Sequence, residues 1–509
     1  MLKQKIKTFR RKYMNRFKKA LALSLATISV ASFAACDFGS LQSQYGGEGD
    51  ANATLELIIN ENATTTIEFA YLAAGFGEDP YIAVANAYMK KNPNVQITTY
   101  SNPEINGALN TIMIPNSSEG LSDIYSIRDE GALKTWAKQG LVESLDGIMA
   151  SQTQDGRTMA ASMTEAAAAA IKFGDSVYAV PEYSNVTGFV YNASLFKEHG
   201  WEIPNTTKDL EELCKKIVAD TNGEVDPIIW CKDADGYLYF GAENWISQHA
   251  GIENMEQFYA MEDKTVYQQG ENSLYNSKKL ALENLQKFFT PGEWCYTKSR
   301  TEYFMDAQRK IMKGECAMML NGSWFENEMH IEFNDPNYAD VEIGMFPVPQ
   351  LSDAAGNVLH AEGYTTVENK RVLTSSFGAY YFIPANAPNK ETAKDFLLFL
   401  SSEEACEEYT KYSNAVRPFT YNYSTSSAVY SEVSTFGKSV LKMASENYLY
   451  APVFNSVLGV IGKGRLWALD YRPESMLVAQ NPETVSSLLA MEAAQADTKW
   501  DDWMTEATK

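Results

Sequence analysis

The chain has 509 residues, of which 45% are hydrophobic and 12% aromatic, and its formal net charge is −22. So acidic a chain lacks the excess of Lys and Arg with which proteins neutralise nucleic acid or anionic lipid, so neither is expected as a partner. The length is too great for a single hydrophobic core and predicts two lobes.

The first 36 residues have the composition of an export signal. Residues 1–20 carry nine Lys and Arg and no acidic residue, and the apolar run 21–33 leads to Ala34-Ala35-Cys36. An apolar run this short does not span a bilayer, and small residues before a cysteine are typical of a lipoprotein signal, although Phe33 stands where such signals usually carry Leu. We therefore expect a lipid on Cys36, which would hold the mature chain outside the cytoplasm on the cell membrane. The alternative is a disordered basic tail before a buried helix.

Removal of residues 1–36 would change the net charge from −22 to −31, because this segment holds nine cations and no anion. Residues 37–62 then form a predicted flexible spacer, which begins with a polar, Gly-rich stretch. No second long apolar run follows, so we expect contact with the membrane through the lipid anchor only.

Five further cysteines are scattered along the chain without a CxxC pair. This spacing argues against a disulfide framework or a zinc site, and leaves one disulfide open. Cys214 shares an apolar helical stripe with Leu210, Leu213 and Ile217, which predicts a buried thiol.

The organised part of the chain opens with a predicted β-α-β unit. Residues 64–75 indicate a strand, Asp79 is the expected N-cap of a helix with Pro80 at its first position, and residues 95–100 indicate the next strand. Such units build parallel sheets, so the pattern predicts an α/β fold.

Later segments add helices and one predicted hairpin. Thr206 and Asp209 have capping-box spacing, which predicts a helix that runs to about Ala219. Residues 228–240 read as a hairpin around Asp235-Gly236. Two further helices are predicted over 390–400 and 402–412.

No catalytic, metal or cofactor motif emerges from the sequence. The four histidines lack HExxH spacing, and there is no GxSxG sequence. The stretch Asp233-Ala-Asp235-Gly236 has no downstream Glu at the distance that a calcium loop needs, so we interpret it as a turn. We therefore expect no enzymatic activity, no cofactor and no metal.

Aromatic residues instead stand beside hydrogen-bonding residues at four places. These are Tyr183-Ser184-Asn185, Glu243-Asn244-Trp245, Asn321-Gly322-Ser323-Trp324 and Phe377-Gly378-Ala379-Tyr380-Tyr381. Sugars have flat C–H faces and hydroxyl rims, so a sugar site needs rings to stack on and polar groups at the edge. Ordinary core packing is the alternative for each aromatic residue.

Five segments in order resemble one family. They are 122–146, with an Asp-Ile strand and a Gly-Leu turn; 173–213, with a YxxP element and then YN; 314–329, with G…AM…NG-x-W; 341–351; and 388–405. The chain resembles the extracellular solute-binding proteins of ABC importers, in particular the family 1 sugar-binding group that includes maltose-binding protein. It departs from the family pattern in its long spacer, in extra residues around 255–275 and 352–370, and over 450–509.

This resemblance implies an α/β, two-lobed periplasmic-binding-protein-like fold of type II, with a ligand cleft between the lobes. The implied boundaries are 63–183 and 345–383 for lobe 1, and 184–344 and 384–509 for lobe 2. The implied protein is a monomer that captures a carbohydrate, closes around it and docks on the permease subunits of an ABC transporter.

Family contact positions imply nine ligand-binding residues. Trp324 matches a sugar-stacking tryptophan, and Asn185 matches a hinge position with Tyr183 beside it. The others implied are Arg128 and Asp129 after the Asp-Ile strand, Phe76 and Glu78 in the first strand-to-helix loop, and Trp245 and Tyr380, for which core packing is the alternative.

Three alternatives to a sugar importer stay open. The same fold could bind a polyamine, a peptide or a metal chelate. A secreted glycan-active enzyme would need two facing carboxylates in an aromatic cleft. A structural surface lipoprotein would have no small-molecule cargo.

Overall fold

The computed structural model describes residues 55–114, 118–170, 172–173, 176–338, 340–452, 461, 466–469 and 472–507. Cys36 and residues 37–54 of the predicted spacer lie outside the described residues. The prediction of a flexible spacer up to residue 62 is wrong for its last part, because Ile58 and Asn60 donate from their N–H groups to the side chains of Asn86 and Gln96, each at 2.9 Å. Within those ranges no helix combines the length and apolar character needed to cross a membrane. Within the described residues the chain forms two compact units: unit 1 lies between 55 and 184 and between 377 and 422, and unit 2 lies between 185 and 376 and between 423 and 507.

The first segment of unit 1 contains β1 (Thr65–Tyr71), α1 (Asp79–Lys91), β2 (Val95–Ser101), α2 (Ile105–Ile112), β3 (Ile124–Ile127), α3 (Glu130–Lys138), α4 (Asp146–Met149), α5 (Met159–Ser162), α6 (Glu165–Ala170), β4 (Lys172–Phe173), β5 (Ser176–Val177) and β6 (Val180–Pro181).

The first segment of unit 2 contains β7 (Thr187–Asn192), α7 (Ala193–His199), α8 (Thr207–Asp220), β8 (Asp226–Ile228), α9 (Leu238–Ala250), α10 (Ile252–Tyr259), α11 (Tyr275–Phe289), α12 (Phe304–Met312), β9 (Cys316–Gly322), α13 (Phe325–Glu328), α14 (His330–Phe333), β10 (Ile343–Phe346) and β11 (Val372–Thr374).

The chain then returns to unit 1 with β12 (Tyr380–Phe382), α15 (Lys390–Leu400) and α16 (Glu403–Ser413). It ends in unit 2 with α17 (Ala428–Glu432), α18 (Thr435–Glu446), β13 (Tyr448–Tyr450), α19 (Pro473–Leu477) and α20 (Val485–Ala507).

Unit 1 is built on a sheet of strand order β2-β1-β3-β12-β6. β1 pairs in parallel with β2 and β3, which confirms the predicted β-α-β unit, whereas β12 is antiparallel to β3 and β6. The helix cap was predicted wrongly, because Glu78 holds the N-cap position of α1 without a side-chain cap. Asp79 is the first helical residue, and its carboxylate accepts a hydrogen bond from the Leu55 N–H at 3.0 Å.

Unit 2 is built on a sheet of strand order β10-β7-β9-β8. β7 is antiparallel to β10 and β9, and β8 is parallel to β9. The predicted capping box is confirmed: the hydroxyl of Thr206 accepts from the Asp209 N–H, and the Asp209 carboxylate accepts from the Thr206 N–H. The helix pair after Pro388 is also confirmed as α15 and α16.

The hairpin predicted over 228–240 is wrong. β8 ends at Ile228, and Asp235-Gly236 begins a 3-10 turn, Asp235–Tyr237, that leads directly into α9. Leu238, Ala242, Trp245 and Ile246 are buried in α9, and their spacing matches the helical period rather than the alternation of a strand. The apolar residues therefore form one face of a helix, and the Asp235-Gly236 pair lies in the turn that precedes this helix.

The later lobe boundaries also differ from those predicted at 345 and 383. β10 pairs with β7, and Val348 and Leu351 lie in the core of unit 2, so the chain stays in that unit until Ser376. In unit 1, α15 and α16 both pack against α1, and Tyr88 of α1 donates to the Asp395 carboxylate of α15 at 2.6 Å. Residues 384–422 therefore belong to unit 1.

The core of unit 2 extends to the C-terminal helix. Lys278 of α11 and Glu492 of α20 form a buried ion pair at 2.8 Å, with side-chain exposures of 1% and 2%. The Lys278 ammonium lies 4.7 to 5.0 Å from the ring centroids of Phe258, Tyr267 and Trp467. Cation–π attraction and the carboxylate thus replace the water that this ammonium has lost.

All five cysteines within the described residues are buried and free. Cys214 is one of them, as predicted, and it packs in the core of unit 2 beside Leu210 and Ile217. Burial raises the pKa of the Cys214 thiol. The disulfide that the sequence left open is therefore not formed among these five residues.

Candidate functional site

Three of the predicted site residues meet in unit 1. Phe76 ends a 3-10 turn, Ala74–Phe76, that follows β1, and Tyr183 follows β6. Their rings pack edge to face, with centroids 4.8 Å apart. Arg128, directly after β3, donates from Nη2 to the Tyr183 hydroxyl at 2.9 Å. The fold thus brings together three predicted site residues from separate loops, each of which follows a strand of one sheet.

In the Arg128–Tyr183 contact a charged guanidinium is paired with a neutral phenol. Burial raises the pKa of Tyr183, and the neighbouring Arg128 charge only partly opposes that rise, so the phenol keeps its proton. Tyr183 accepts from the guanidinium and so directs its own O–H elsewhere. The pair can therefore offer a neutral donor beside a fixed cation.

The absence of a side chain at Gly378 allows the Tyr183 ring to pack directly against the backbone. The Gly378 N–H donates to the Tyr183 carbonyl at 3.1 Å. A Cβ at position 378 would lie only 1.9 Å from Cε2 of Tyr183. Glycine is required here because the backbone of 377–379 lies directly against the ring.

The other predicted residues of unit 1 have roles within the fold. Asp129 caps α3, accepting from the Ala132 N–H at 2.8 Å. Tyr380 is 6% exposed and belongs to the core cluster around Phe382. Glu78 is half-buried at the start of α1, two residues after Phe76. The alternative of core packing thus holds for Tyr380.

A buried polar network that sequence reasoning missed lies behind Tyr183. Glu182 is fully buried, and its carboxylate accepts from the Tyr409 hydroxyl at 2.7 Å and from the Ser126 hydroxyl. Arg417, 1% exposed, donates to the Tyr381 hydroxyl at 2.9 Å and lies over the Tyr409 ring. Burial raises the pKa of Glu182, although the Arg417 charge opposes it. The sequence signal was a charged residue between Pro181 and an aromatic residue.

Trp324 is the centre of an aromatic group in unit 2. Its indole Nε1 donates to the Tyr237 hydroxyl at 3.1 Å, and its ring meets the rings of Tyr237 and Phe240 edge to face, each at 5.9 Å. Phe304 packs edge to face on Tyr237 at 6.0 Å. We call Trp324, Tyr237, Phe240 and Phe304 the aromatic cluster. Sequence analysis found only Trp324, because the predicted hairpin gave Tyr237 and Phe240 the wrong secondary structure.

The backbone before Trp324 places its ring. A Cβ on Gly322 would lie 2.3 Å from Cη2 and Cζ3 of Trp324, so the indole covers this glycine closely. The Asn321 side chain is fully buried, and its oxygen accepts from the Gly322 N–H at 2.8 Å. Asn321 and Gly322, which end β9, therefore position the ring, which is 8% exposed.

Trp245 and Asn185 are engaged in the fold. Trp245 is fully buried, and its Nε1 donates to the Pro349 carbonyl at 2.7 Å, so the structure places it in the core rather than at a ligand surface. Asn185 is half-buried; its amide donates to the Ser376 hydroxyl at 3.0 Å, and its N–H donates to the Ser376 carbonyl at 2.8 Å. Asn185 thereby joins two chain segments at the edge of unit 2.

No His, Cys, Asp and Glu side chains converge into a group of three or more that could hold a metal ion, over the part of the chain that the structure describes. The site residues are thus aromatic rings, hydroxyls, an amide, a guanidinium and carboxylates. Such a set binds by stacking and hydrogen bonding.

Known proteins resemble this chain over most of its length. The diacetylchitobiose binding protein NgcE of Streptomyces coelicolor is 23% identical over 424 residues, which cover 76% of this chain and 77% of that protein. The multiple sugar-binding protein of Streptococcus mutans is 21% identical over 333 residues, which cover 63% of this chain and 68% of that protein.

Solved structures show the same fold. RafE in complex with raffinose has a TM-score of 0.57 at 16% identity, covering 85% of this chain and 99% of RafE. Lmo0181 from Listeria monocytogenes in complex with cycloalternan has a TM-score of 0.57 at 18% identity, covering 86% of this chain and 99% of that protein. These neighbours are two-lobed α/β binding proteins, which confirms the predicted fold class.

The family model for bacterial extracellular solute-binding proteins matches residues 64–405. This match covers most of the chain, from the N-terminal β-α-β unit to α15 of unit 1. The chain therefore belongs to the bacterial extracellular solute-binding protein family.

Proposed function

We propose that this protein is the carbohydrate-binding component of an ABC importer, and that its cargo is an oligosaccharide. The aromatic cluster is the single observation that carries this proposal. Trp324 has its one N–H satisfied by Tyr237, and its ring is braced at the edges by Tyr237 and Phe240. A braced indole without a polar demand of its own suits stacking on the apolar face of a pyranose.

Polar groups of unit 1 would supply the hydrogen bonds that the sugar hydroxyls need. The Tyr183 hydroxyl and the Arg128 guanidinium are joined and held by Phe76. Glu78 and Asn185 are proposed as further contacts because both are half-buried, and Asp129 and Tyr380 keep a lesser role because helix capping and core packing occupy them. Trp245 drops out of the proposed site.

The names of the relatives support a sugar as the cargo. They are described as binding diacetylchitobiose, raffinose, cycloalternan and multiple sugars. All are binding proteins rather than enzymes, and we propose the same for this chain, without a catalytic residue or cofactor.

Delivery and location complete the proposal. We propose that a lipid on Cys36 anchors the protein outside the cytoplasm, that residues 37–54 act as a spacer, and that the loaded monomer docks on membrane permease subunits. The basic N-terminal segment and the run Ala34-Ala35-Cys36 support the anchor.

Isothermal titration calorimetry against a defined panel tests the proposed function. The panel contains diacetylchitobiose, raffinose, cycloalternan and maltotriose, with spermidine and a tripeptide as representatives of the rival cargoes. We expect saturable one-to-one binding of at least one glycan that is recovered unchanged by chromatography. Binding of spermidine or the tripeptide alone would point to the rival cargo, and cleavage of the glycan would point to an enzyme.

A further inference from the structure

The C-terminal segment of the chain contacts the turn that carries Tyr237 of the aromatic cluster. This segment lies beyond the family match, which ends at residue 405. α19 packs against α9, α11 and the 3-10 turn that carries Tyr237. Both the C-terminal segment and its contacts with the turn therefore involve residues outside the matched range 64–405.

Arg472 makes the central contact. Its Nη1 donates to the Gly236 carbonyl at 2.9 Å, and its guanidinium lies over the Tyr239 ring, 5.3 Å from the centroid. The Tyr239 hydroxyl in turn donates to the Glu243 carboxylate of α9 at 3.1 Å. A planar guanidinium can lay its face on a ring while an N–H at its edge donates to a carbonyl.

Residues on both sides of Arg472 in the sequence hold it in place. Glu474 is fully buried, and its carboxylate accepts from the Trp467 Nε1 at 3.0 Å. Trp467 is 1% exposed and packs against the Lys278 ammonium of the buried ion pair. Arg472 thus projects from a segment that is fixed in the core of unit 2.

Gly236 precedes Tyr237 in the same 3-10 turn, Asp235–Tyr237. Displacement of the Gly236 carbonyl would therefore displace Tyr237, whose hydroxyl holds the Trp324 indole at 3.1 Å. Arg472 is thus connected to the indole in three steps. It donates to the Gly236 carbonyl, the backbone joins Gly236 to Tyr237, and the Tyr237 hydroxyl accepts from the indole.

We infer that Arg472 is a positioning residue for Trp324, acting through Gly236 and Tyr237. It sets the orientation of the ring without touching the ligand. The inference deepens the proposed function, since it rests on Trp324 being the sugar platform, but the geometric link between Arg472 and Trp324 can be tested without any sugar.

The test is 19F NMR of the full chain labelled with 5-fluorotryptophan. The Trp324 resonance is assigned by its loss in Trp324→Phe, and Tyr237→Phe gives its position when the hydroxyl contact is absent. We expect Arg472→Gln to move the Trp324 resonance towards its position in Tyr237→Phe, because the glutamine side chain is uncharged and shorter than that of arginine. Arg472→Lys should move it less, because lysine keeps the charge and more of the length needed to donate to the carbonyl.

Arg300→Gln is the matched control. Arg300 also binds a backbone carbonyl of the C-terminal segment, donating from Nε to Val478 at 2.7 Å, but it does not contact the Tyr237 turn. If neither Arg472 variant moves the Trp324 resonance, or if Arg300→Gln moves it equally, the inference is wrong. Melting temperatures of all variants identify any that fail to fold.

A separate arm keeps the two proposals distinguishable. Diacetylchitobiose and raffinose are titrated into the labelled wild-type protein, and a shift of the Trp324 resonance tests the sugar platform itself. Movement with Arg472→Gln but not with either sugar would support the positioning role and count against Trp324 as the site for these two sugars.

Discussion

The indole Nε1 of Trp324 donates to the Tyr237 hydroxyl at 3.1 Å, although the two residues are 87 positions apart in the sequence. Tyr237 stands at the entry of α9 and Trp324 directly after β9. A hydrogen bond between two aromatic side chains fixes the plane of the indole as well as its position. The aromatic cluster is thus a preorganised surface rather than a collection of nearby rings.

Replacement of Trp324 separates binding from stability. Trp324→Ala should reduce sugar affinity by about 2 kcal/mol or more, as buried aromatic anchors do, which is roughly a thirtyfold loss. Trp245→Phe is the control: it removes the Pro349 hydrogen bond in the core and should lower the melting temperature with affinity unchanged. Calorimetry and thermal denaturation on both variants measure the two effects. Unchanged affinity in folded Trp324→Ala would remove Trp324 from the site.

Gly378 should not tolerate a side chain. Gly378→Ala forces the Tyr183 ring to move, because the new Cβ would overlap Cε2, and should cost about 1–3 kcal/mol of unfolding free energy. Gly107→Ala is the matched control, since Gly107 lies in α2 with no atom within 4 Å of the added Cβ. There we expect a gain of up to about 1 kcal/mol. Equal effects in urea denaturation would contradict the close approach.

Removing one partner of the Lys278–Glu492 pair should destabilise the protein, whereas replacing both partners with apolar residues should be tolerated. Lys278→Met leaves the Glu492 carboxylate buried without its partner, which should cost about 3–5 kcal/mol. Lys278→Met combined with Glu492→Leu should recover most of that loss. The control Lys279→Met affects an exposed pair with Glu283 and should change stability by less than about 1 kcal/mol. A double variant as unstable as the single one would show that the pair itself, not the buried charge, matters.

Stability should fall as pH rises from about 4.5 to about 7 because of Glu474. Burial, aided by Asp235 and opposed by Arg472, raises the pKa of Glu474 to about 7 from its ordinary value of 4.5. Between these values the folded chain keeps a proton that the unfolded chain has released, so stability declines as pH rises through this window, by about 3 kcal/mol in all.

Glu474→Gln tests this pH dependence. The amide oxygen can still accept from Trp467, but the side chain no longer titrates, so the decline between about pH 4.5 and 8 should shrink by that amount. Urea denaturation at each pH measures it, with exposed Glu253→Gln as the control. Parallel pH profiles for wild type and Glu474→Gln would show that Glu474 is ionised throughout.

The anchor can be tested by fractionation. Cys36→Ser should release the protein into the medium or leave it unprocessed, whereas the wild type should take up labelled palmitate and sediment with membranes. Cys406→Ser is the control, because this thiol is fully buried and its loss should not change the location. Wild-type protein without label would contradict the lipoprotein proposal.

Local signals in the sequence predicted elements well, and distant contacts explain the failures. The Thr206–Asp209 capping box needs only four neighbouring residues, so it could be identified directly. Trp245 follows Asn244 and Trp324 follows Ser323, so both stand beside a hydrogen-bonding residue in sequence, yet the helical period of α9 places Trp245 in the core. Which sheet takes β10 depends on its pairing with β7, and the pattern of a strand does not specify its partner.

The site was predicted in part for the same reason. Phe76, Arg128 and Tyr183 follow strands of one sheet, so their meeting follows from the parallel topology. Tyr237 and Arg472 could not be found, because their roles depend on a turn taken for a hairpin and on a segment far along the chain.

The alternation of the two units along the chain imposes an order on folding. Unit 1 needs α16, so its core can be completed only after residue 413 is available, and unit 2 needs Glu492 to neutralise Lys278. A nascent chain that has reached β11 therefore holds two unfinished cores with exposed apolar surface. Unit 1 can close first, and unit 2 closes only with the last helix. In a chain truncated within α20, the fold of unit 2 should therefore be lost more readily than that of unit 1.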